Sequence, residues 1–290
     1  MKIHILVLAS SFSMAAHSSA ALTAGLVGYF DFQSDLSNQA AAVGSDYGGP
    51  FENGTLSETD AVTDYTVATS GGRAGNGLNV QVAASTGSVN SMTIPIGFGA
   101  GQDLGASFTV SSWVKLDATT ASNGSARYFI YEGVNNFDLS LSLRAVSGAA
   151  GINDVQVFTE GTGGAIAGQA TFADAGDPGT WLHLVQVYAA GPTNTTLSTY
   201  VNGTLQGTTL TNANTNISAT GIVLGRARTG TNNRHFDGMI DELGLWNREL
   251  DSSEITALYN AGQNGLAIPE PSAALMGGLG LLALLRRRTR

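Results

Sequence analysis

Phe108-Thr109-Val110-Ser111-Ser112-Trp113-Val114-Lys115-Leu116 and Trp181-Leu182-His183-Leu184-Val185-Gln186-Val187-Tyr188 are the stretches on which the fold turns. Both carry apolar residues on nearly both faces, so neither face is committed to water. Such strands belong in the middle of a sheet covered on both sides. Phe137-Asp138-Leu139-Ser140-Leu141-Ser142-Leu143 alternates instead, the pattern of a half-buried strand. Thr199-Tyr200-Val201-Asn202-Gly203-Thr204-Leu205 sets Asn-Gly between strand-like flanks. Both central residues of a type I′ turn need positive φ, which Asn and Gly tolerate, so a hairpin is expected there. Further short strands are expected at 26–32, 77–82, 91–96, 127–132, 153–159 and 220–226, and loops at 37–60, 117–126 and 160–179. Helical periodicity is almost absent and no repeat is visible, so the reading is an all-β sandwich or jelly roll.

One short helix is expected at 251–261. Asp251-Ser252-Ser253-Glu254 has the form of a capping box, and Leu250 and Ile255 stand where a hydrophobic staple packs. Ile255, Leu258 and Tyr259 share a face, and Gly262 is the expected left-handed C-terminal cap.

The chain ends read differently from the middle. Lys2, an apolar run from Ile3 to Phe12 and small residues from Ala15 to Ala20 form a secretory signal peptide over 1–20, cleaved after Ala20 or Ala21. At the other end, Pro269-Glu270-Pro271 precedes an apolar run over 272–285 and then Arg286, Arg287 and Arg288. A helix of that length spans roughly 21 Å, against a hydrocarbon core of about 30 Å. Its place at the chain end, with only arginines to follow on the cytoplasmic side, favours membrane insertion over a docked helix.

Setting aside Lys2, Glu270 and the four tail arginines leaves 21 acids against 8 bases, a net of −13. A surface of that sign disfavours nucleic acid and anionic lipid, which need clustered Lys and Arg. There is no cysteine, which excludes thiol catalysis, haem attachment and cysteine-held zinc. Gly at 38 of 290 is high, as many tight turns between short strands require.

These residues resemble two known patterns. The segment 268–290 is similar to the PEP-CTERM sorting signal of Gram-negative bacteria. That resemblance implies an exosortase-type partner acting at Pro269, Glu270 and Pro271, a membrane-anchored precursor held by Arg286, Arg287 and Arg288, and delivery to the cell surface, outer envelope or matrix. Residues 25–266 resemble a laminin-G-like, concanavalin A-like domain. The similarity is carried by Gly25-Leu26-Val27-Gly28-Tyr29-Phe30, Ser107 to Lys115, Gly179-Thr180-Trp181-Leu182-His183, Tyr200-Val201-Asn202-Gly203, Leu224-Gly225-Arg226 and the closing run Asp237 to Leu250. It implies a two-sheet antiparallel jelly-roll sandwich with one short C-terminal helix.

Candidate chemistry is sparse. A glycosidase needs two carboxylates facing a sugar, and the Glu-x-Asp-x-x-Glu pattern of glucanases with this fold is absent. Asp237, Asp241 and Glu242 come nearest, but in the closing segment a capping or solvated role outweighs catalysis. Glu132 and Asp138 flank a turn and are expected on an exposed rim. His183 and His235 are the histidines of the domain, and His183 reads as a packed strand residue. Trp113, Trp181 and Trp246 are expected in the core, and Tyr47, Tyr65 and Phe98 as loop residues open to contacts. Domains of the resembled family often hold a structural calcium ion, which here would draw on Asp35, Asn38 and Asp241. The opening loop replaces two of the family's acids with amides, which weakens such a site. The expected function is non-catalytic binding of an exopolysaccharide or surface glycan. The alternatives are a polysaccharide hydrolase or lyase, and a purely structural matrix protein.

Overall fold

The structure, a computed structural model, describes residues 22–48, 51–57, 65–81, 90–98, 102–116, 128–134, 136–148, 151–160, 166–172, 179–192, 195–212, 219–226 and 236–268. The expected signal peptide, His235, the Pro269–Pro271 motif, the 272–285 helix and the tail arginines lie outside these residues. Among the described residues no helix is long and apolar enough to cross a membrane.

Two antiparallel sheets face each other. The first holds β1 (Leu26–Phe30), β3 (Tyr65–Ala68), β4 (Gly77–Gln81), β6 (Phe108–Leu116), β11 (Trp181–Ala190), β12 (Thr195–Val201), β13 (Thr204–Asn212) and β15 (Asp237–Trp246). Its order is β13-β12-β11-β6-β15-β4-β3. β15 is long enough to pair β4 along Asp237–Ile240 and β1 along Leu243–Trp246. The second sheet holds β2 (Thr55–Ser57), β5 (Ser91–Ile94), β7 (Tyr128–Gly133), β8 (Asn136–Gly148), β9 (Gly151–Glu160), β10 (Ile166–Phe172) and β14 (Ile222–Leu224), in the order β10-β9-β8-β7-β14-β5-β2.

The two apolar stretches become β6 and β11, paired side by side in the interior of the first sheet. Their inward residues, Val110, Val114, Leu182 and Leu184, join Leu78, Ile130, Leu224 and Ile240 in the main core. One polar group crosses it: Gln186 Oε1 accepts hydrogen bonds from the hydroxyls of Tyr131 and Tyr188. Asn202 and Gly203 take φ of 50° and 77° and close the β12–β13 hairpin as expected.

Several expectations change, and β2 at Thr55–Ser57 falls within the expected loop 37–60. Residues 160–179 are not all loop, because 166–172 pair with β9 as an edge strand; Gly and Ala in that run mask the alternation. Tyr65 and Phe98 are core residues, 3% and 0% exposed. Tyr65 opens β3 and donates to Leu224 O, while Phe98 packs edge-on against Phe108. The polar side of the Phe137–Leu143 run is not turned to water at Ser140, which is fully buried.

The helix, α1, runs Ser252–Gln263 from the N-cap Asp251, with both halves of the capping box formed. Gly262 lies inside the helix and does not cap it. A Cβ there would fall 2.3 Å from Trp113 Nε1, so glycine is needed for close packing. The left-handed turn after the helix belongs to Gly265, at φ +66°. α1 lies on the outer face of the first sheet, where Ile255 and Leu258 join Leu22, Leu26, Tyr29, Val185, Trp246 and Ile268 in a second, smaller core.

Candidate functional site

β-pleating alternates side chains between faces, so strand register decides what the outer face of the first sheet presents. Lys115 pairs with both Trp181 and Met239, Met239 with Asn79, and Asn79 with Thr66. Thr66, Asn79, Met239, Lys115 and Trp181 therefore form one row across five strands, roughly 19 Å at the usual strand spacing. Their neighbours along each strand, such as Leu78, Val114, Leu182 and Ile240, point into the core. Thr66 is exposed, Asn79, Lys115 and Trp181 are part-exposed, and Met239 at the centre of the row is buried at 8% exposure. Lys115 Nζ sits 4.9 Å from the Trp181 ring centroid and 3.3 Å from Gly71 O, to which it donates. Lys2 and Lys115 are the two lysines of the chain.

The other two tryptophans are closed off. Trp113 and Trp246 are 2% and 0% exposed. Trp113 is stacked on Tyr259 of α1, with the Arg73 guanidinium 4.5 Å from its ring. Trp246 Nε1 donates to Leu22 O.

Beside the open row lies a covered cluster. β15 bulges at Asp241 and Glu242, where its register against β6 shifts and Glu242 takes φ +50°. A bulge re-aims side chains that a regular strand would send to opposite faces. Asp241 Oδ2 accepts from the amides of Arg73 and Ala74, and its Oδ1 from the Glu242 amide. Glu242 Oε2 accepts from the Tyr29 hydroxyl at 2.6 Å. Glu242 Oε1 and His183 Nδ1 are buried without a partner. His183 Nε2 lies 2.9 Å from Ser111 Oγ. A cavity of ≈ 10 Å³ is lined by Ser111, His183 and Glu242 together with Leu258 and Ile268. That is space for about one water.

Burial dominates the ionisation of these groups. It pushes the Glu242 carboxyl up to about 8, with the neighbouring Asp241 charge adding to the effect. Burial also raises Asp241, to about 7, against the pull of the three amides that favour its charged form. The His183 imidazole is pushed down to about 3 by burial and stays neutral. A neutral acid, a neutral imidazole and a serine under a helix have the residue types of a nucleophilic set but not its wiring. Among the described residues no carboxylate meets His183 Nδ1, and His183 is 1% exposed.

Asp241 and Glu242, at 0% and 5% exposure, hold backbone and Tyr29 together and do not face a sugar. Glu132 is buried at 1% exposure, not on an exposed rim, and Asp138 lies in β8. Tyr47 stays part-exposed and donates to Asp103 at 2.8 Å. The residues expected to hold calcium each accept hydrogen bonds from backbone amides. Asp35 Oδ1 accepts from the Ser37 amide, and Asn38 Oδ1 from the amides of Tyr29 and Ala40. Asn38 Nδ2 donates to Val27 O, and both Asp241 oxygens face amides. Among the described residues no group of three His, Cys, Asp or Glu is placed to hold a metal ion.

The family model Laminin_G_3, described as the concanavalin A-like lectin/glucanases superfamily, matches residues 89–256. No curated protein matches the sequence. Among solved structures, domain 4 of AbnA, a GH43 extracellular arabinanase from Geobacillus stearothermophilus in complex with arabinotriose, aligns with TM-score 0.52 at 19% identity. That alignment covers 81% of this chain and 98% of the other. The botulinum neurotoxin serotype D ligand-binding domain in complex with N-acetylneuraminic acid aligns with TM-score 0.54 at 14% identity, covering 84% and 52%. The binding domain of Paraclostridial Mosquitocidal Protein 1 aligns with TM-score 0.54 at 16% identity, covering 82% and 52%. The chain thus spans about half the length of the last two, and at these identities the likeness is one of fold.

Proposed function

The chain belongs to the concanavalin A-like lectin/glucanase superfamily, and from that premise we propose that it is an exported, non-catalytic module that binds a glycan or another surface component. The open row on the first sheet is the binding face. The observation that carries this reading is the division among the tryptophans: Trp113 and Trp246 are sealed, whereas Trp181 keeps open surface beside Lys115. An indole beside an ammonium, with the Asn79 amide and Thr66 hydroxyl farther along the same row, suits a polyol chain, offering a flat apolar ring and separate polar groups. Two neighbours of the same fold, by their descriptions, were solved with arabinotriose and with N-acetylneuraminic acid.

The sealed state of Asp241 and Glu242 supports binding without turnover. A reducing-sugar release screen over plant, microbial and algal polysaccharides tests it. Binding without product is the expected outcome; sustained turnover would establish the hydrolase or lyase reading instead.

Delivery follows from the ends of the chain. In this proposal an export signal over 1–20 takes the protein across the inner membrane, and 272–285 with Arg286, Arg287 and Arg288 holds the precursor there. An exosortase-type enzyme then cuts at Pro269, Glu270 and Pro271 and passes the domain to the cell surface or matrix. Mass spectrometry of the exported protein checks this. The expected C-terminus lies near Pro271, and an intact Arg290 would rule the processing out.

A further inference from the structure

Two segments far apart in the sequence end in the same small core. Leu22, 2% exposed, and Ile268, 5% exposed, both belong to the cluster under α1. Chain ends ordinarily fray unless something ties them down. Here each tie is specific. At the front, Trp246 Nε1 donates to Leu22 O at 2.7 Å. Arg248 Nε donates to Ala24 O at 2.7 Å while its guanidinium grips Glu254 of α1 through two nitrogens. At the back, the Ile268 amide donates to the Tyr29 hydroxyl at 3.3 Å, and that hydroxyl donates to Glu242 Oε2 at 2.6 Å.

The segment after α1 is not held along its whole length. Leu266 is 58% exposed although its amide still donates to Ala261 O at 3.0 Å, and two residues later the chain buries Ile268. Pro269 follows directly. Tyr29 is fixed from both sides, by an acid in the β15 bulge and by the amide it accepts.

We propose that the second core is a clasp that fastens the segments at Leu22 and Ile268, with Tyr29 as its pin between Glu242 and the Ile268 backbone, so that the chain as far as Ile268 belongs to the folded unit and tail processing is confined to bonds beyond it. The chain that must survive export processing is therefore Leu22 to Ile268, and both expected cuts fall just outside it. The fold sets this limit: a cut after Leu22 would remove a buried side chain and the acceptor of Trp246, and a cut before Ile268 would empty the space beside Tyr29. The consequence for processing rests on the sorting reading above, whereas the clasp itself does not.

Amide hydrogen exchange on the full-length protein in detergent tests the clasp without reference to any processing enzyme. The Ile268 amide is expected to exchange at least about tenfold more slowly than in an unstructured peptide, as a buried hydrogen bond requires. Tyr29→Phe removes the acceptor, and protection at Ile268 should fall to the peptide rate while the amides of α1 keep theirs. An Ile268 amide that already exchanges freely in the native protein overturns the proposal, as does unchanged protection in Tyr29→Phe. Should Tyr29→Phe fail to fold, two truncations decide. A chain ending at Ile268 should melt with the full-length domain, and one ending at Gly265 should melt lower; equal melting of the two overturns the clasp. A free exosortase-type cut with an intact clasp, or the reverse, separates this proposal from the sorting reading.

Discussion

Glu242 shows how one residue links strain, charge and pH. Its backbone is held at a left-handed φ, while burial and the acidic neighbour Asp241 oppose an ionised carboxylate. Tyr29, Asp241, Asp31 and His183 are the titratable groups around it. A carboxyl raised from 4.5 to about 8 contributes stability that is fully present below 4.5 and is lost as pH rises towards 8. Asp241, raised to about 7, acts with the same sign. His183, lowered from 6.5 to about 3, acts oppositely: its contribution is present above 6.5 and is lost as pH falls. From 6.5 to 8 the acids alone act, so the melting temperature should fall as pH rises through that window. Glu242→Gln, which mimics the neutral acid, should flatten the fall. An unchanged slope in a pH series of thermal melts would show that Glu242 does not titrate there. The sequence marked Asp241-Glu242 as structural through the closing segment around it. It could not reveal the bulge, because an extra residue in a strand leaves no spacing signature when both neighbours are apolar.

At the scale of elements, α1 separates what local sequence specifies from what packing decides. Its start was legible: Asp251 accepts from the amides of Ser253 and Glu254, and Glu254 accepts from the Asp251 amide. Asp251→Ala should cost about 1 kcal/mol, read as a lowered denaturation midpoint. Its end was not legible, since both Gly262 and Gly265 fit a left-handed cap by composition and only the Trp113 ring distinguishes them. Gly262→Ala should destabilise by about 1–3 kcal/mol, because the new methyl meets a stacked indole that cannot yield. A neutral effect would mean that α1 can shift on the sheet. β10 was missed for a related reason: an edge strand needs a partner more than a pattern, and β9 supplies it. Tyr65 and Phe98 were misplaced because short strands and strand ends bury aromatics without enough neighbours to show alternation.

For the molecule as a whole, long apolar strands, an Asn-Gly hairpin and a capped helix were enough to indicate a two-sheet sandwich. Which face stays open was not, because that depends on where α1 and the segment to Ile268 lie down. They cover the half of the first sheet around His183, Trp113 and Trp246 and leave Thr66, Asn79, Lys115 and Trp181 at least part-exposed, with Met239 buried between them. Chelation offers a separate check on the whole fold. With the oxygens of Asn38 and Asp241 committed to amides, EDTA should leave the melting temperature unchanged, and a clear drop would reveal a calcium centre built from other groups. The most direct test of the central claim is a glycan array probed with the exported domain and with Trp181→Ala, followed by titration of any glycan captured. The account predicts capture by the native domain and a loss of about tenfold or more in affinity on removing the indole, about 1.4 kcal/mol of ring contact. A glycan bound equally well by Trp181→Ala, or an array on which the native domain binds nothing, would contradict it.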